Sequence, residues 1–171
     1  MRMNKGVEWA THACTLLAPL GPEKGLSLAA LADYHAVPHP YMAKQMQALS
    51  KAGIVRTSRG KSGGYALARP VDQITLWDIK QAIDGPEPAF RCTEIRQQGP
   101  CALPRAECKT PCGIAAAFAR AEAGYRDSLR AVRLSDIVSD VAGHADAQHL
   151  ADIMAWYGNH VTEMPVSARD K

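Results

Sequence analysis

Seven consecutive residues, Ser58-Arg59-Gly60-Lys61-Ser62-Gly63-Gly64, constrain this chain more than any other segment. They set three glycines and two cations between two short extended runs, residues 54–57 and 65–67. Short strands around a glycine-rich connection form a β-hairpin, here with a basic tip. Three helical stretches precede it. Residues 7–20 are rich in helix formers and end at Pro19 and Gly21; Ser27 caps a helix over 28–35; a third runs from Pro40 or Tyr41 to Ala52, where Gly53 stops it. Val37-Pro38-His39-Pro40 is a turn, because two prolines so close exclude a helix. Three helices followed by a hairpin is the winged helix-turn-helix order.

Downstream, Thr75 caps a helix over 76–83 that Asp84-Gly85-Pro86 closes. Residues 86–112 lack periodicity and hold Cys92, Cys101, Cys108 and Cys112; so long a loop is expected to be functional or disordered. From Gly113 to about Val132, Ile114, Phe118, Ala121, Tyr125, Leu129 and Val132 recur at steps of four and three, a narrow seam with coiled-coil spacing. Ser135 is expected to cap a further short helix, and the tail beyond Gly143 to carry one apolar patch, residues 153–157, before fraying. The expected fold is mainly α with a small β-hairpin wing: a winged helix-turn-helix domain (1–85), a cysteine-containing loop (86–112), a dimerisation helix region (113–142), and a C-terminal helix and tail (143–171).

Charge and composition narrow the function. With 47% apolar residues the chain can build a core, and its net charge of +3 is compatible with a nucleic-acid partner without requiring one. No run approaches the roughly 18 apolar residues of a membrane span, and no signal peptide is evident, so the expectation is a cytoplasmic protein without membrane contact. Four clustered cysteines in a reducing compartment point to metal or redox chemistry more than to structural disulfides. No loop presents a nucleophile, base and pocket together, so neither an enzyme nor a small-molecule substrate is expected.

The DNA-reading groups follow from position. Tyr41, Lys44 and Gln45 lie near the start of the third helix, with Gln47 and Lys51 further on, while Met42, Met46 and Leu49 face the core. The early part of a recognition helix reaches base edges, where glutamine pairs with adenine and lysine with guanine or phosphate. At the wing, Arg59 and Lys61 stand among Gly60 and Gly63, which let backbone approach a phosphate or groove wall. Each cation alone is more often a solvated charge; their order along the chain favours DNA.

The run from Pro40 to Val55, then Arg59-Gly60-Lys61-Ser62-Gly63-Gly64-Tyr65-Ala66-Leu67-Ala68-Arg69-Pro70 and residues 74–85, resembles the signature of the Rrf2 family of bacterial transcription regulators. That resemblance implies a homodimer on operator DNA, with an iron–sulfur cluster in many members. The four loop cysteines depart from the three-cysteine spacing usual there. Gly6-Val7-Glu8-Trp9-Ala10-Thr11-His12, His35, the segment 92–100 and Cys108-Lys109-Thr110-Pro111-Cys112 resemble the RsrR-like redox-sensing subgroup, described as holding a [2Fe–2S] cluster. Carried over, the ligands are Glu8 and His12 from one subunit with His35 and Cys112 from the other. Glu8 and His12, four apart, project from one helix face, and imidazole and carboxylate both ligate iron. This set around an oxidised core sums to no net charge, which eases reduction. Trp9, beside Glu8, is the candidate lever for the signal. The bland alternatives are a solvated Glu8, packing histidines and a small buried Cys112; Cys14 reads as core. Cys92, Cys101 and Cys108 are then free to pack, to form a disulfide or to supply a three-cysteine site. A nitric-oxide or iron–sulfur-status sensor and a cluster-free thiol switch are the alternative functions.

Overall fold

The computed structural model describes residues 3–58, 60 and 63–164. Its elements are α1 (Lys5–Leu17), β1 (Lys24–Leu26), α2 (Leu28–Tyr34), α3 (His39–Lys51), β2 (Val55–Ser58), β3 (Gly64–Leu67), α4 (Leu76–Asp84), α5 (Gly113–Ala131), α6 (Leu134–His144), α7 (Ala147–His160) and β4 (Val161–Glu163). The fold is mainly helical with a small antiparallel sheet, as the sequence predicts.

Local chemistry sets most boundaries. Asn4 accepts from the Gly6 N–H and starts α1 earlier than expected; Ser27 and Thr75 cap α2 and α4, the latter in a reciprocal box with Asp78. The first helix ends at Leu17, not Leu20: Pro19 supplies no N–H, and residues 18–20 tighten into a 3₁₀ turn. Ser135 does not cap α6. The cap lies two residues earlier, at Arg133, where the Asp136 carboxylate accepts the Arg133 N–H at 3.0 Å.

β2 and β3 pair from Val55↔Leu67 to Ser58↔Gly64 and form the expected hairpin. The sheet nevertheless has four strands, in the order β2-β3-β1-β4. Through Met164 the tail does not fray after its apolar patch, and residues 165–171 lie outside the described residues. It continues α7 to His160 and returns as β4, antiparallel to β1, with Met164 buried and its N–H on the Glu23 carbonyl at 2.7 Å. Gly25 is needed where these strands meet, because a Cβ there would strike the Tyr65 carbonyl oxygen and come within 2.8 Å of Met164.

The core joins α1–α4 to the sheet through Leu17, Leu31, Met42, Met46, Leu49 and Ile54, all essentially without solvent contact. Burial of each such side chain contributes about 1.5–3 kcal/mol. Cys14 lies in this core as expected, and burial pushes its thiol pKa up to about 12. In contrast, the 19 residues of α5 bury no side chain; Ile114 is 65% exposed and Phe118 51%. Trp77 of α4 meets the cations Lys80, Arg126 and Arg130 at 5.2–5.5 Å and ties α5 to the core. Among the described residues no helix is long and apolar enough to cross a membrane.

Candidate DNA interface and metal site

On α3, Met42, Met46 and Leu49 face the core and Tyr41, Lys44, Gln47 and Lys51 face solvent, the first 57% exposed. Gln45 departs from the expected base-reading position. It is only 5% exposed; its amide Nε2 donates to the Tyr41 carbonyl at 3.2 Å and its Oε1 occupies the space that a Cβ on Gly6 would need, 2.7 Å away. Gln45 therefore closes the α1–α3 contact, and the exposed amide on this helix belongs to Gln47. Within the wing, Gly60 has φ 110° and accepts the Gly63 N–H at 2.9 Å, a reversal that few other residues tolerate. Arg59 and Lys61 lie outside the described residues.

Helix α1 carries two sets of contacts. Glu8 and His12 are exposed and line one apolar cleft of about 260 Å³, with Val7, Leu76, Lys80 and Leu129 among its walls. On the same helix, Gly6 rests on Gln45, and Trp9 makes an edge contact with Tyr41, ring centroids 5.9 Å apart. The helix bearing two candidate ligands thus touches the start of the exposed reading helix.

His35 packs beside the candidate ligand His12. Its ring lies 5.5 Å from His12 of its own chain and 4.9 Å from Tyr34, and it is absent from the walls of the cleft. Its Nε2 is sealed from solvent without a partner; burial first, and His12 second, hold its pKa down at about 4.

Cys112 caps α5, its sulfur accepting the Ala115 N–H at 3.4 Å. That bond chiefly lowers the pKa of its thiol, helped by Cys92 alongside and by Arg96. The sulfur of Cys92 accepts the Glu94 N–H at 3.4 Å. Cys108 and Cys112 thus lie near Arg96, and Cys92 lies beside Cys112. The loop is fixed at its start, where the Ala89 N–H meets Glu122 at 3.1 Å and Phe90 stacks on Phe118 at 4.4 Å. Among the described residues of one chain, no three His, Cys, Asp or Glu side chains are placed to hold a metal ion. The donors fall into two separate sets, carboxylate with imidazole and thiol with thiol. That arrangement fits a cluster completed by a second chain.

A recognition helix followed by paired strands around a glycine-rich turn defines a winged helix-turn-helix protein. The family model described as Rrf2, iron-dependent transcriptional regulator, matches residues 3–140, and the chain belongs to this family of DNA-binding transcription regulators. It is 30% identical over 153 residues to the HTH-type transcriptional regulator Rv1287 of Mycobacterium tuberculosis, covering 90% of this chain and 88% of that one. It is also 30% identical to Protein aau3 of Rhizobium meliloti over 138 residues, 81% and 85% of the two chains. Among solved structures, T. potens IscR superposes with a TM-score of 0.61 at 22% identity, over 86% of this chain and 95% of that one. CymR, described as the global cysteine regulator of B. subtilis, does so with a TM-score of 0.58 at 22% identity, over 81% and 97%. The family is one of regulators, not enzymes.

Proposed function

We propose that this regulator works as a homodimer with a [2Fe–2S] cluster between its subunits, and that the redox state of the cluster sets operator affinity. One observation carries the proposal: α1 offers Glu8 and His12 to a single cleft while its Gly6 and Trp9 rest on Gln45 and Tyr41 of α3. Ligand helix and reading helix are in direct contact.

Glu8 and His12 of one subunit would hold one side of the cluster, and Cys112 of the partner subunit the other. We take Cys92 of the partner subunit as the fourth donor in place of the expected His35: in the chain Cys92 adjoins Cys112, whereas His35 does not line the cleft that Glu8 and His12 share. When bound, the cluster supplies a one-electron change of charge at the interface. This donor set is less negative than four thiolates, which makes that electron easier to accept. α5, with no buried side chain and with Ile114 exposed, offers the surface for the second copy. Trp9 would pass a shift of α1 to Tyr41. Tyr41, Lys44 and Gln47 of α3 would enter the major groove, with Arg59, Gly60, Lys61 and Gly63 at the backbone or minor groove.

A second reading, ligation by loop cysteines alone, draws support from Cys108 and Cys112 near Arg96 with Cys92 beside Cys112. One experiment separates the two. Protein purified without oxygen should be coloured, with equal iron and sulfide. Glu8→Ala and His12→Ala should each lose most of the cluster. Retention of a full cluster in both variants would replace the mixed-ligand site with the cysteine site, and colourless iron-free parent protein would reject both.

A further inference from the structure

The cysteine loop must keep two thiols together across twenty residues that contain no helix or strand beyond two short 3₁₀ turns, at 95–97 and 105–107. An open loop of that length pays a closure entropy, so some contact must hold its arms. The first arm carries Cys92 and the second runs from Cys108 to Cys112. Arg96 spans them: its guanidinium donates to Glu94 Oε2 at 2.8 Å on the first arm and to the Thr110 carbonyl at 2.6 Å on the second. Its own carbonyl accepts the Leu103 N–H at 2.9 Å, which pins the connecting turn.

Glu94 supports the same construction. Its backbone is left-handed, φ 51° and ψ 44°, a conformation that is strained for a non-glycine residue. In that conformation its N–H reaches the sulfur of Cys92 while its carboxylate meets Arg96. The ion pair helps offset the backbone cost. At the far arm the sulfur of Cys112 takes the Ala115 N–H. Each of these two sulfurs therefore accepts one backbone N–H, and such bonds to sulfur tune cluster potentials.

We infer that Arg96, with Glu94, is the positioning clip of the cysteine loop, holding the Cys92 arm against the Thr110–Cys112 arm so that two thiols are presented together. This rests on the proposed Cys92 and Cys112 donor pair, but one part of its test needs no cluster. In full-length, cluster-free protein carrying Cys101→Ser and Cys108→Ser, diamide oxidises the two thiols to one disulfide and takes up their two electrons and two protons. The rate reports how often Cys92 and Cys112 meet. Arg96→Gln should slow it about tenfold through a lower effective concentration, and Arg96→Lys should slow it as well, since one ammonium cannot span both arms. In cluster-loaded protein otherwise unaltered, Arg96→Gln should also shift the reduction potential downward, because a cation and an ordered N–H···S bond are lost together. Glu94→Gln repeats both measurements should Arg96→Gln fail to fold. Wild-type disulfide rates in Arg96→Gln or Glu94→Gln would overturn the clip, whether or not the parent holds a cluster. A parent without cluster but with slowed variants would keep the clip and reject only the donor assignment.

Discussion

Gln45 and Gln47 differ by two positions, and the structure buries the first and exposes the second. Gln45→Ala should destabilise the fold by about 1–3 kcal/mol, since it removes a buried amide and its bond to the Tyr41 carbonyl. Gln47→Ala should leave stability within about 0.5 kcal/mol and relax preference at one base pair by about 1–3 kcal/mol. Urea unfolding and competition between operator variants measure both effects; a stable Gln45→Ala protein with altered base preference would reverse the assignment. The sequence could not reveal this, because both glutamines fall within a helix of the right period. What decides between them is the missing side chain of Gly6, which lies on another helix. Cys14 was legible, since its neighbours in the helix pattern already mark a buried face. His35 adds a pH effect in cluster-free protein. Its folded pKa of about 4 lies below the ordinary imidazole value of about 6.5. Between those values the unfolded chain takes a proton that the folded chain refuses, so stability should fall as pH drops from about 6.5 toward 4. His35→Gln should flatten that slope in unfolding curves recorded across the range; an equally steep slope would assign it to another group.

Elements with a capping side chain or a clear apolar period were readable: α2, α4 and α5 fall within a residue or two of expectation. The three-residue strands β1 and β4 were not, because Lys-Gly-Leu and Val-Thr-Glu carry no alternation long enough to mark them. They are strands because they pair with each other, and that contact joins residues far apart in sequence. The pairing makes the C-terminal segment part of the DNA-binding unit. Tyr157 of α7 reinforces it, its hydroxyl donating to the Leu16 carbonyl at 2.6 Å. Tyr157→Phe should cost about 1 kcal/mol, and Gly25→Ala about 1–3 kcal/mol by forcing apart β1, β3 and Met164. Shifts of the urea midpoint would show both; unchanged midpoints would mean that β4 adds nothing to stability.

At the scale of the whole molecule, the proposed dimer accounts at once for the exposed face of α5 and for the two separate sets of candidate donors. The seam spacing of α5 was legible, but Phe118 already stacks on Phe90 of its own chain, which periodicity alone cannot foresee. Sedimentation should therefore give a dimer, and Ile114→Glu should shift it toward monomer with loss of both cluster and operator binding; a dimer unaffected by that change would move the interface away from this part of α5. On the proposed reading Trp9, whose ring meets Tyr41, carries the signal to the reading helix, and a folded Trp9→Ala protein should keep its cluster while losing most of the difference between redox states. That difference is the central quantity. Operator affinity should be measured for oxidised and for reduced protein at one salt concentration, with cluster content verified before and after. The expected result is a change of at least about tenfold, or about 1.4 kcal/mol, on adding one electron. Equal affinities in the two states, with the cluster intact in both, would contradict redox control of DNA binding.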